Sequence, residues 1–162
     1  MLNFIYNDGG REAAGYKGKT GDCVIRSIAI AADLDYSQVR SDLMERTKVY
    51  RATHNNKTSR RMTNNSVFRG VYDVIYKPYL LDELGWHWVS CMSFGSTQRV
   101  HVREDELPGG PLILRLSKHL SVWKNGALHD TYDCSRDGTR TVYGFYCRAL
   151  TLNELKVQSL KD

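Results

Sequence analysis

Cys23 has the sequence setting of a nucleophilic thiol. A glycine-rich stretch precedes it, and the apolar, alanine-rich residues 23–32 are predicted to form a central helix, with Asp22 as its N-cap. The N–H groups at a helix start lack partners and carry about half a positive charge, which favours the reactive thiolate over the thiol. They can also hold a developing oxyanion. We therefore expect Cys23 to be a nucleophile, the alternative being a small buried side chain at a helix start.

A hairpin in the second half of the chain supplies a base and a carboxylate. Asn125-Gly126 favours a two-residue turn between two strands. In the register of that turn, His119 and Asp130 lie on one face as diagonal neighbours. A one-residue bulge would bring Asp133 to this face instead, so Asp133 is the alternative third member.

These residues predict acyl chemistry through a covalent intermediate. The Cys23 thiolate would attack a carbonyl carbon, and His119 would take the thiol proton and later give it to the leaving group. Asp130 would orient the imidazole and stabilise its charged form. The Cys23 backbone N–H is one oxyanion donor. The candidates for a second donor are Thr20, Asn7 and Lys17.

The order of these residues resembles that of papain-like cysteine peptidases, and in size and spacing it is closest to the compact bacteriocin-processing (double-glycine) peptidases. Residues 7–11, 18–31 and 119–133 are also similar to small bacterial and phage proteins of undefined function. The resemblance spans about residues 20–147. It implies a papain-like fold, a peptide or protein substrate attacked at an acyl or isopeptide bond, and no cofactor. It also implies the roles of nucleophile, base and orienting residue for Cys23, His119 and Asp130.

The chain departs from the papain-like pattern at two points. Papain-like enzymes usually carry a glutamine a few residues before the cysteine, and no glutamine precedes Cys23. Many also follow the orienting residue with proline, which follows neither Asp130 nor Asp133.

The remaining pattern predicts a single α+β domain over residues 1–162. N-terminal helices, with the Cys23 helix at their centre, should pack on a C-terminal antiparallel β-sheet. Helical spacing of apolar residues covers 36–47 and 67–84, and strands are expected at 86–94, 99–103, 112–116 and 141–148, besides the hairpin. Residues 48–66 are polar and basic, and are predicted to be an excursion from the core.

Composition limits the alternatives. The chain has 162 residues and a net charge of +5. It has no apolar run of the roughly 20 residues that span a membrane, and its first residues do not resemble a secretory signal, so we expect a cytoplasmic protein without membrane contact. Its four cysteines form no Cys-x-x-Cys pair and are expected to be free thiols. No zinc-ligand spacing is present, so no metal is expected.

Three functions compete at this point. The leading one is a papain-like thiol hydrolase, and the second is an acyltransferase or transglutaminase-like enzyme with the same triad. The third is a non-catalytic basic binding or inhibitor protein of a phage or bacterium. The basic segment favours a solvated loop, and contact with nucleic acid is the less favoured alternative. That contact would involve Arg51, Lys57, Arg60 and Arg61.

Overall fold

The computed structural model describes residues 2–18, 21–62, 66–92 and 98–148, and these form an α+β fold. The helices are α1 (Cys23–Ala32), α2 (Tyr36–Thr53), α3 (Lys57–Arg61), α4 (Ser66–Arg69) and α5 (Asp73–Pro78), which continues into a π-helical turn at Tyr79–Glu83. The strands are β1 (Phe4–Tyr6), β2 (His87–Ser90), β3 (Val100–His101), β4 (Leu112–Leu116), β5 (His119–Lys124), β6 (Ala127–Asp130), β7 (Thr141–Val142) and β8 (Gly144–Cys147). No helix within these ranges combines the length and the apolar character needed to cross a membrane.

The main sheet is mixed and not purely antiparallel as predicted. Its six strands have the order β1-β6-β5-β4-β8-β2, and β1 pairs in parallel with β6. The remaining neighbours are antiparallel, and β3 and β7 form a separate two-stranded sheet. The antiparallel expectation was wrong at this edge because the three residues of β1 pair with a strand that lies more than 120 residues later, and a local pattern carries no record of such a partner.

The Cys23 helix lies between the sheet and the other helices. Eight of the ten residues of α1 are buried, as expected for a central helix. Its apolar side chains share one core with α2 and with Leu120 and Val122 of β5. Trp123 points to a second core on the other side of the sheet. α1 packs directly on β5, and Cys23 at the start of the helix lines the same cleft as His119 at the start of the strand.

The predicted hairpin turn is confirmed. Asn125 and Gly126 both have positive φ angles, 53° and 70°, as a type I′ turn requires. The turn pairs Lys124 with Ala127, and Val122 lies opposite His129.

Much of the predicted basic excursion at 48–66 is helical. Helix α2 continues to Thr53 instead of ending near residue 47, and residues 57–61 form α3. A capping box between Asn56 and Ser59 starts α3, and the Asn56 side chain also donates a hydrogen bond to the Tyr50 hydroxyl at 3.1 Å. These polar contacts join α3 to the end of α2.

Candidate active site

An ionic network of Asp22, Arg11 and Arg26 holds the start of α1. Asp22 occupies the predicted N-cap position, but its side chain accepts no hydrogen bond from the helix N–H groups. It is fully buried and accepts hydrogen bonds from Arg26 and from the Tyr36 hydroxyl, the latter at 2.6 Å. The Nε atom of Arg11 lies 3.0 Å from the same carboxylate. This carboxylate accepts no hydrogen bond from the first turn of α1, so the N–H groups beside Cys23 are not capped by it.

His119 and Asp130 are in direct contact. Nε2 of His119 lies 2.7 Å from Oδ2 of Asp130. The Asp130 carboxylate is buried and accepts two more hydrogen bonds of 2.7 Å, from the Ser121 hydroxyl and the Thr131 N–H. Its position and partners hold the imidazole in one orientation, which leaves Nδ1 of His119 for other partners.

Asp133, the alternative third member, lies elsewhere. Its side chain is exposed and accepts a hydrogen bond from the Ser135 N–H at 2.9 Å. The hairpin has no bulge between its paired residues, so the register keeps Asp130 beside His119.

Cys23 and His119 interact through their side chains. Burial raises the pKa of the Cys23 thiol, but a hydrogen bond with His119, another with the Leu120 N–H, and the positive charges of His119 and Arg26 outweigh it, so this pKa is lowered. Burial alone would lower the pKa of His119, yet its hydrogen bonds with Asp130, Cys134 and Cys23 raise it. These directions favour a thiolate–imidazolium pair, the reactive form of a cysteine nucleophile.

The Asp130 carboxylate stays charged in this setting. Burial raises its pKa, but the hydrogen bond and charge of His119, together with the bonds from Ser121 and Thr131, lower it overall. A charged Asp130 beside the imidazole is what stabilises imidazolium.

Arg26 connects the two carboxylates of the site, those of Asp22 and Asp130. This residue was not identified from the sequence. It is 7% exposed, contacts Asp22 with Nη1, and places Nη2 3.5 Å from Oδ1 of Asp130. A signal was present, because a charged residue inside an otherwise apolar helix must be paired, and Asp22 precedes it by one helical turn. Arg26 thereby connects the helix that carries Cys23 to the strand that carries Asp130.

Arg11 holds the loop that forms one wall of the site. Its guanidinium donates hydrogen bonds to the backbone carbonyls of Tyr16, Lys17 and Gly18, at 3.3, 3.0 and 2.8 Å. The same side chain reaches Asp22, so the loop is tied to the start of α1.

Cavities lie on two sides of the Cys23–His119 pair. One, of about 330 Å³, is bordered by Asp73, Tyr76 and Arg115, and the other, of about 1010 Å³, by residues of the Arg11 loop and by Arg69. Both cavities are lined by Cys23, Gly70, Lys118 and His119. The thiol is therefore accessible from a cleft that extends in two directions.

The three candidates for a second oxyanion donor have different positions. The amide of Asn7 donates to Nδ1 of His129 at 3.3 Å and its oxygen accepts from the Gly9 N–H, and Asn7 does not line either cavity. Lys17 lines the larger cavity. Thr20 lies outside the described residues.

A second thiol, that of Cys134, lies beside His119 and Asp130. Ligand atoms of His119, Asp130 and Cys134 are all within 4.8 Å of one another, a spacing at which three such groups can hold a metal ion. Cys134 is buried. It forms no disulfide, and neither do Cys23, Cys91 and Cys147. In the protein alone, the carboxylate of this trio is committed to hydrogen bonds with His119, Ser121 and Thr131.

No protein-family model matches the chain, and neither the curated proteins nor the solved structures include one that is significantly similar to it. A function for this protein therefore has to follow from the chemistry of its own residues.

Proposed function

We propose that the protein is a cysteine peptidase-like thiol hydrolase that acts through a thioester acyl-enzyme. The observation that carries the proposal is the connected series of Cys23, His119 and Asp130. Cys23 has a lowered pKa at the start of a helix and interacts with His119, and His119 bonds to a buried carboxylate at 2.7 Å. A nucleophile, a base and a group that orients the base are the arrangement that covalent acyl transfer needs.

In the acylation step, the Cys23 thiolate attacks the carbonyl carbon of the substrate and a C–S bond forms. The carbonyl oxygen becomes an oxyanion, which the N–H groups of the first turn of α1 stabilise. Collapse of this intermediate breaks the C–N bond, and the imidazolium of His119 gives its proton to the departing amine. Asp130 keeps the ring in place during the transfer.

In the deacylation step, His119 removes a proton from a water molecule, which attacks the thioester carbon. The C–S bond then breaks and a carboxylic acid leaves. The sulfur departs as a thiolate beside the newly formed imidazolium, which restores the starting pair.

The shape of the cleft supports a peptide or protein substrate. A chain bound across Cys23 can occupy the 330 Å³ cavity on one side of the scissile bond and the 1010 Å³ cavity on the other. A small acyl donor would use only one of them.

Selective alkylation tests the nucleophile. Iodoacetamide should modify Cys23 much faster than Cys91, which is also only partly buried, and His119→Ala should reduce the Cys23 rate. Equal rates at the two thiols in the folded protein would refute an activated Cys23. Repeating the labelling after dialysis against a chelator shows whether a metal held by Cys134 contributes to it.

Peptide hydrolysis tests the reaction. A complex peptide mixture incubated with the protein should yield new carboxyl termini, and Cys23→Ala should abolish them while Cys91→Ala retains them. New amide products on an added amine would instead establish acyl transfer, the alternative reaction on the same triad. Identical product patterns for wild type and Cys23→Ala would refute catalysis by this thiol.

A further inference from the structure

The positive charge of the protein is concentrated in one segment. Residues 46–72 contain seven of the 23 Lys and Arg residues and none of the 18 Asp and Glu residues. The rest of the chain therefore has 16 basic and 18 acidic residues, a net charge of −2, and the overall charge of +5 originates in this segment. Such an asymmetry is typical of a surface that binds a polyanion.

The fold gathers part of this charge around one concave surface, which we call the basic cavity. It has a volume of about 570 Å³ and lies where the end of α2 meets α3. Its described lining contains the basic residues Lys48, Arg51 and Arg60 and no carboxylate. The remaining described lining residues are Ala52, Thr53, His54, Asn55 and Ser59.

Neighbouring carboxylates compensate little of the charge of Lys48 and Arg60. Glu45 lies 3.9 Å from Lys48, but both side chains are largely exposed, and such pairs are weak. Arg46 pairs with Glu83 and belongs to a different surface. The Nε atom of Arg60 donates to the Asn56 carbonyl at 3.2 Å, which positions its guanidinium without neutralising it.

One wall of the basic cavity carries a fixed aromatic ring. The His54 ring stacks on Tyr50 with a centroid distance of 3.9 Å and an interplanar angle of 11°. Its Nδ1 atom lies 2.9 Å from the Thr53 hydroxyl and 3.2 Å from the Tyr50 carbonyl. His54 is exposed, so the ring has one face against Tyr50 and presents the other to solvent.

We propose that the basic cavity binds single-stranded nucleic acid. Lys48, Arg51 and Arg60 contact phosphates, and an unpaired base stacks on the open face of His54. Cationic side chains beside a rigid ring are the elements with which proteins bind single strands without reading their sequence. An acidic protein surface has no base that could stack on His54. In a duplex the bases are already stacked on one another and are not free to do so. The site is independent of Cys23 and does not rest on the proposed hydrolase.

Fluorescence anisotropy with labelled T20 and U20 oligonucleotides tests the proposal. With three phosphate contacts, the logarithm of the binding constant should fall with the logarithm of the salt concentration with a slope of about −2. The triple variant Lys48→Gln, Arg51→Gln, Arg60→Gln should lose at least tenfold in affinity and most of this slope.

A second triple variant, Arg99→Gln, Lys124→Gln, Arg136→Gln, makes the same change in net charge elsewhere and should bind like wild type. Equal losses in the two triple variants, at unchanged melting temperatures, would overturn the proposal, since net charge alone would then explain binding.

Two further measurements separate nucleic acid from other polyanions. His54→Ala should weaken T20 binding about fivefold or more, because a stacked base contributes appreciably to single-strand affinity. The proposal would be overturned in favour of general polyanion binding by two results together. Heparin fragments or a duplex would compete as well as T20, and His54→Ala would bind T20 with wild-type affinity. Cys23→Ala should bind T20 like wild type, so the hydrolase and this site can fail separately.

Discussion

The replacement of Asp130 by asparagine tests how the triad is charged. The substitution preserves the shape of the side chain. Its one oxygen can replace either Oδ2, which accepts from the Ser121 hydroxyl, or Oδ1, which accepts from the Thr131 N–H. It removes the negative charge that lies 2.7 Å from the His119 ring. The imidazolium then loses its nearest counterion, and the thiolate–imidazolium pair becomes less favourable than the neutral pair of Cys23 and His119.

The magnitude follows from the contact. An opposite charge at this distance shifts a pKa by about 1–3 units, which corresponds to about 1.4–4 kcal/mol. The equilibrium between the charged and the neutral pair should move by the same free energy, a factor of about 10 to 1,000. The Arg26 charge near Cys23 remains, so the thiol keeps part of its activation.

The assay is the rate of Cys23 alkylation by iodoacetamide between pH 5 and 10, followed by mass spectrometry. The wild-type rate should already be high at neutral pH, because the pKa of Cys23 is lowered. In Asp130→Asn the rate at pH 7 should fall at least tenfold and rise with pH towards that of an ordinary thiol, whose pKa is about 8.5.

Asp133→Asn is the matched control for this experiment. It removes the same charge three residues further along the chain, at an exposed side chain that bonds only locally to Ser135. The Asp133→Asn protein should therefore alkylate like wild type. An Asp130→Asn protein that alkylates at the wild-type rate at pH 7, or an equal fall in both variants, would refute the role assigned to Asp130.

Three further predictions concern stability. Asp22→Asn should lower the free energy of unfolding in urea by about 3–5 kcal/mol, because it removes the counterion of the buried Arg11 and the nearer of the two carboxylates that pair with Arg26; a change below 1 kcal/mol would mean that the network contributes little. Gly144→Ala should cost about 1–3 kcal/mol in the same measurement, since the added Cβ would clash with the Trp88 ring and lie 2.6 Å from the Val89 carbonyl oxygen. The pKa of Asp130 is lowered in the folded state, so its ionised carboxylate should stabilise the fold above the ordinary pKa of 3.8, and this stabilisation should be lost as the pH falls below 3.8. In an acid titration, Asp130→Asn should therefore lose less free energy of unfolding than wild type.

Local chemistry was enough to predict several parts of the fold. Asn125 and Gly126 tolerate positive φ angles and therefore define a tight turn without help from the rest of the chain, and the turn sets the hairpin register. Continuous apolar character predicted the buried helix at 23–32. From these two elements alone, Cys23, His119 and Asp130 could be selected as partners.

Contacts between distant segments decided the remainder. Arg26 joins Asp22 to Asp130 only because α1 packs on β5, and the pairing of β1 with β6 depends on residues that are far apart in the chain. The sequence by itself determined which groups can do chemistry and how the hairpin aligns two of them, since turn geometry and helix burial are local properties. The tertiary structure alone decided what surrounds them: the buried charges, the two-sided cleft and the basic cavity depend on packing, which no short pattern specifies.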